Sequence, residues 1–189
     1  CNFQLRGPES DADEKFVEAF AKQHQLKYFS VKFDTKAFKK AKAISTQMAA
    51  RELRYEWLEK IRKENGYHVI ATAHHLDDQL ETILLNITKG TGLRGLTGMQ
   101  PLQGFVIRPM LEISKNEIAA YAKENDIAFR EDSSNASDDY QRNQIRHQVI
   151  PALPRINSSL YETTGGFISR MHDYVQLSDE RIELIKKKC

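Results

Sequence analysis

The sequence predicts an α/β fold, a parallel sheet with crossover helices followed by a helical linker segment, and two observations carry that prediction. Short runs of β-type residues alternate with helical patterns as far as Glu124, which is how strands joined by crossover helices read. From Asn157 to Lys188 the alternation stops and the pattern is helical throughout.

The chain start to Leu5 reads as the tail of an earlier strand. Ser10-Asp11-Ala12-Asp13 resembles a capping box and opens a helix whose core face would carry Phe16, Val17 and Phe20. Tyr28 to Phe33 is a strand. Met48, Ala49, Leu53, Trp57, Leu58 and Ile61 recur at three and four residues, an amphipathic helix closed by Asn65-Gly66. His68 to Ala73 is the next strand, which completes a βαβ unit. Leu80, Ile83, Leu84 and Ile87 mark a helix directly after it, and Ile113 to Glu124 another beyond Pro109. The breakers Pro151 and Pro154 place a boundary there, dividing the chain into residues 1–155 and 156–189.

Composition bounds what such a fold can be. With 189 residues the chain buries one core, or a core plus a helical piece. Residues are 40% hydrophobic and 29% charged, with no apolar run near the roughly 20 needed to cross a bilayer, so a soluble protein without a membrane partner is expected. It begins at Cys1 with no signal peptide and looks cut from something longer. The two cysteines, Cys1 and Cys189, form no CxxC pair and no disulfide framework, which fits a reducing cytoplasm. Lys+Arg at 28 against Asp+Glu at 26 argues neither for nor against nucleic acid. Lys36, Lys39, Lys40 and Lys42, and Lys186 to Lys188, are basic stripes that suit either solvent or a nucleic-acid backbone.

The densest chemistry comes just after the second strand, where ligands of open parallel sheets sit. His74 and His75 come first, then Asp77, Asp78 and Glu81, which share one helical turn. First-turn acids complement a helix dipole. Three of them repel unless a cation meets them, so a partner is expected. A metal is one choice, but adjacent histidines rarely aim at one ion and the spacing is not HExxH. Gly90-Thr91-Gly92-Leu93-Arg94-Gly95 matches GxGxxG formally but comes after a helix, which excludes a Rossmann site and leaves a helix cap and turn or a loop beside the site at Gly92. Arg51 with Arg54, and Arg142 with Arg146, each share a helical face and could fork onto carboxylate or phosphate, or form ion pairs locally.

Seven motifs in this order resemble the bacterial tRNA(Ile)-lysidine synthetase family. They are Leu5 to Asp13, Ala49 to Tyr55, Ala73 to Thr82, Gly90 to Met99, Arg108-Pro109, Asp132-Ser133-Ser134-Asn135 and Arg142 to Arg146. The resemblance covers residues 1 to about 155 and implies a partial catalytic domain of the ATP-pyrophosphatase class with an adenine-nucleotide α-hydrolase-like fold. It implies ATP with Mg, L-lysine and tRNA(Ile) as partners, and a homodimer as one assembly. By resemblance Asp78 and Glu81 would hold the lysine amino groups, one of them as base, and Arg54 and Arg146 its carboxylate or the reacting phosphate. His74, His75, Asp77, Arg51, Arg142 and Gly92 would line the substrate or nucleotide, the histidines also suiting a packing role at a strand end. No metal ligand of the protein itself is implied. The family's Ser-Gly-Gly-x-Asp-Ser phosphate loop is absent and would lie upstream of Cys1, and its C-terminal domains beyond Cys189, so these 189 residues alone are expected to be inactive. Three rival readings stay open: another tRNA-modifying enzyme of the class such as a thiolase, which usually brings cysteines to its site; a non-catalytic RNA-binding module; and a metal-dependent hydrolase.

Overall fold

A computed structural model describes residues 1–130 and 141–188, in two compact units, Cys1–Ile70 and Ala71–Cys189. The first unit opens with a parallel bridge between Asn2 and Lys32. The Asn2 amide donates to Val31 O at 2.8 Å, and the Phe33 amide to Asn2 O at 2.9 Å. The expected strand at residues 28–33 is therefore extended chain that pairs at one point. Helix α1 (Pro8–Gln23) starts with proline in its first turn, where a missing N–H costs nothing. Ser10 lies inside it, and its hydroxyl accepts from the Arg6 amide at 3.2 Å instead of capping.

The core face expected on α1 is corrected. Val17 and Phe20 are exposed, whereas Ala21 is buried. Asn2 contributes to this, because its Nδ2 donates to both Asp11 and Glu14 at 2.9 Å and so ties the 11/14 face of the helix, not the face of Val17 and Phe20, to the start of the chain. Helix α2 (Thr35–Lys42) shows in the sequence only as a basic stripe. Asp34 caps it, accepting from the Ala37 amide at 2.9 Å. Helix α3 (Thr46–Glu64) is the expected amphipathic helix, capped by Ser45 and ended at Asn65.

Strand β1 (Ile70–Ala71) falls where the first unit ends and the second begins, and leads into α4 (Leu76–Thr88) of the second. Then come α5 (Leu93–Leu96), a hairpin of β2 (Leu102–Gln103) and β3 (Val106–Ile107), and α6 (Lys115–Glu124). Helix α7 (Gln141–Gln144) runs into a π turn (Ile145–Val149) and a 3-10 turn (Ile150–Arg155) before α8 (Leu160–Lys186). The sheet order is β1-β3-β2, with β2 and β3 antiparallel. This helix-rich arrangement with a small sheet does not reproduce in detail the parallel sheet with crossover helices expected from sequence. Ladder partners set strand length, and here the ladders are two residues long.

Helix α4 is the axis of this unit. Leu76 and Ile83 pack with Ile168 of α8, flanked by Leu96, Tyr161 and Phe167. Leu80 packs with Ile145 and Ile150, flanked by Leu84, Leu85, Leu153 and Leu160. The glycine run after α4 is a helix cap and turn. Gly90 has φ +73° and its amide donates to Ile87 O at 3.0 Å, while Gly92 precedes α5. Gly98 is required twice over: its φ is +65°, and a Cβ there would lie 2.4 Å from Gln79 Oε1. That same Gln79 side chain grips the Met99 backbone at both its N–H and its carbonyl.

Candidate active site

Two hydrogen bonds fix the start of α4 just past β1. The Leu76 amide donates to Ile113 O at 2.9 Å, and the His75 amide donates to Asp78 Oδ2 at 3.0 Å, so the chain enters the helix with its end closed by its own carboxylate. The helix period then sends Asp78 and Glu81 to one side and Asp77 to another.

Asp78 and Glu81 meet Arg142 and Arg146. Arg142 Nε donates to Glu81 Oε2 at 2.6 Å, and its second nitrogen, Nη2, to Asp78 Oδ1 at 3.0 Å. Arg146 Nε donates to Glu81 Oε1 at 2.5 Å, its Nη2 to Glu81 Oε2 at 2.9 Å, and that nitrogen stands 3.5 Å from Asp78 Oδ1. Glu81 is one of the most deeply buried side chains described, at 1% exposure, while Arg142 and Arg146 keep 35% and 29%. Hydrogen bonding to Glu81 raises Arg146 above its ordinary pKa. Arg146 lies in the π turn, an irregularity frequent at functional sites, while Arg142 lies on α7 one turn earlier. Two buried carboxylates and two half-buried guanidiniums thus balance each other's charge with their arginine side open to solvent.

Asp77 is held elsewhere. Its Oδ1 accepts from the Tyr161 hydroxyl at 2.6 Å and its Oδ2 from the Lys115 amide at 2.7 Å, tying α4 to α8 and to the start of α6. Burial works to raise its pKa, but His75, Tyr161 and that amide hold it down at about 2. His75 Nδ1 stands 3.5 Å from Asp77 Oδ2 and Nε2 stands 3.6 Å from Asp78 Oδ2. The Asp77 carboxylate, with Asp78 behind it, raises the histidine pKa against burial, and the imidazole stands between the two acids beyond hydrogen-bond geometry, its buried Nδ1 without a hydrogen-bond partner among the described residues. Burial and the bond to Asp77 push the Tyr161 phenol up, so it stays a donor.

Of the residues expected from sequence, the second unit therefore brings together Asp78, Glu81, Arg142 and Arg146, with His75 and Asp77 beside them. His74 turns away, its Nδ1 2.9 Å from Thr72 Oγ1. Gly92 is spent on the turn into α5. Arg51 and Arg54 belong to the first unit, where their guanidiniums lie over the rings of Tyr55 at 4.8 Å and Phe3 at 5.2 Å. The motif Asp132-Ser133-Ser134-Asn135 lies outside the described residues. Sequence reasoning misses Tyr161 and the Lys115 amide. No local pattern marks a phenol 84 residues from its acceptor.

Among the described residues no group of three or more His, Cys, Asp or Glu side chains is arranged to hold a metal ion. The α4 acids do not fit one, because guanidiniums, amides and a phenol already occupy their oxygens. No chemical step is assigned to a protein-bound metal.

Comparison with known proteins shows the family to which the chain belongs. A family model described as a PP-loop domain matches residues 1–153. A tRNA(Ile)-lysidine synthase of Bacteroides thetaiotaomicron is 40% identical over 188 residues, 100% of this chain and 44% of that protein. One of Parabacteroides distasonis is 45% identical over 163 residues, covering 86% of this chain and 37% of its own length. One of Bacillus subtilis is 40% identical over 163 residues, 84% and 34%. The chain thus spans less than half the length of these relatives.

Proposed function

From the premise that the chain belongs to the PP-loop domain family, we propose that its α4 site serves an ATP-dependent ligation of L-lysine to the wobble cytidine of an AUA-reading tRNA(Ile). Cytosine O2 attacks the α-phosphate of ATP and pyrophosphate leaves. The lysine ε-nitrogen then bonds to C2 as the C2–O2 bond breaks, AMP departs with that oxygen, and the nitrogen gives up a proton. The names of the relatives support the substrate class. One observation of the molecule carries it: the charge-balanced cluster of Asp78, Glu81, Arg142 and Arg146, open on its arginine side.

A zwitterionic amino acid can enter such a cluster by exchange. Its two ammonium groups take the place of guanidinium beside Asp78 and Glu81, one released arginine takes its single carboxylate, and the other turns to the solvent side, where both guanidiniums are already part-exposed. Fewer than about one free lysine in a thousand has a neutral side-chain amine at pH 7, so a base must accept its proton. Asp78 or Glu81 fills that role, and Arg146 or Arg142 holds the carboxylate. Arg51 and Arg54 are proposed to bind the nucleotide or the reacting phosphate, with Mg entering on the ATP. Residues 1–155 would then be a partial catalytic domain and 156–189 a helical linker, a division supported by the family match ending at 153.

The test is to incubate the whole protein with tRNA(Ile), ATP and isotopically labelled lysine. Label in the anticodon nucleoside, with one AMP released per lysine, is the expected result. AMP release without label would place the chain with another PP-loop enzyme of tRNA modification. Binding of tRNA with no AMP would make it an RNA-binding module.

A further inference from the structure

The start of α4 carries three carboxylates, but only two of them meet the arginines. Asp77 is kept apart, and the groups that keep it apart can be named. Around it stand His75 on α4, the Lys115 amide on α6 and Tyr161 on α8, and its charge acts through space on Arg146 of the π turn. Direct donors to its oxygens are the Tyr161 hydroxyl at 2.6 Å and the Lys115 amide at 2.7 Å. The phenol ring is fixed in turn by packing beside Leu76, Ile83 and Ile168. Tyr161 lies on α8, beyond the residues that the family model matches.

We propose that Tyr161 is a positioning residue of the α4 site, tying Asp77, and with it the helical turn that carries Asp78 and Glu81, to α8, so that these two acids are held where Arg142 and Arg146 meet them. The inference rests on the proposed lysine chemistry for its kinetic readout and on the hydrogen bond for its physical one. Without the hydroxyl, Asp77 Oδ1 loses its donor, and the first turn of α4 loses its side-chain tie to α8, keeping only the Lys115 amide on α6. A first turn less firmly tied holds Asp78 and Glu81 less firmly against the arginines, and substrate binding suffers before chemistry does. Helix α8 thereby contributes to the site without touching a substrate.

Tyr161→Phe in the whole protein removes the hydroxyl and keeps the ring, so packing is preserved. KM for lysine should rise about tenfold, the scale of one hydrogen bond to a charged group, with kcat changed less than about twofold. The acid limb of kcat/KM for lysine should move to higher pH, since Asp77 protonates more readily. In an Asp77→Asn background the same substitution should do almost nothing, because its effect passes through that carboxylate. Wild-type KM and an unmoved acid limb, or effects that simply add in the double variant, would overturn the proposal whatever happens to Tm. If the wild-type protein transfers no lysine, the function reading fails instead. Carboxyl NMR still decides the positioning role then: an Asp77 pKa raised by Tyr161→Phe supports it, and an unchanged one refutes it.

Discussion

Glu81 is a buried charge whose safety depends on two neighbours. Its carboxylate makes three bonds to Arg142 and Arg146, and a charge this deep cannot lose a partner cheaply. Arg146→Met should destabilise the protein by about 3 kcal/mol in urea unfolding, and adding Glu81→Gln should recover part of that loss. Asp77 and His75 set opposite dependences on pH. Asp77 is held at about 2 against an ordinary 3.8, so its contribution is full above that ordinary value and is lost as pH falls through about 2. His75 is raised, so its contribution is full below about 6.5 and fades as pH climbs through its higher folded value. Unfolding free energies measured from pH 2 to 8 should flatten on the acid side in Asp77→Asn and on the neutral side in His75→Gln.

At the scale of elements, α4 presents its apolar residues to α8 on one side and to the π and 3-10 turns on the other, so the site rides on the best-packed helix of its unit. Ile83→Ala should cost about 2–4 kcal/mol, while Ile182→Ala on the exposed end of α8 should cost under about 0.5 kcal/mol. Gly98→Ala should cost more than about 1 kcal/mol through its positive φ and the displaced Gln79, measurable as a lowered Tm. The helices most legible in the sequence, α3, α4, α6 and α8, have apolar periodicity sustained over ten residues or more. Helix α2 is not legible because Phe38 is its one large apolar residue among lysines. The α1 face misleads because the periodicity of Phe16, Val17 and Phe20 is outweighed by the hydrogen bonds of Asn2. Strand lengths escape the sequence because a ladder depends on distant partners that local pattern does not encode. For the site, the shared faces of Asp78 with Glu81 and of Arg142 with Arg146 are readable from spacing. Their meeting across 61 to 65 residues is not.

At the scale of the molecule, the chain forms two compact units, and no helix among the described residues is long and apolar enough to cross a membrane. The PP-loop match runs through both units, while the Asp78, Glu81, Arg142 and Arg146 cluster is complete within the second. The central claim is that this cluster handles the amino acid and not the nucleotide. Glu81→Gln in the whole protein tests it most directly, by following pyrophosphate release and lysine incorporation on tRNA(Ile) in the same reaction. Pyrophosphate release should stay within about threefold of wild type while lysine incorporation falls about a hundredfold or more. Equal loss of both steps, or lysine incorporation at the wild-type rate, would contradict it.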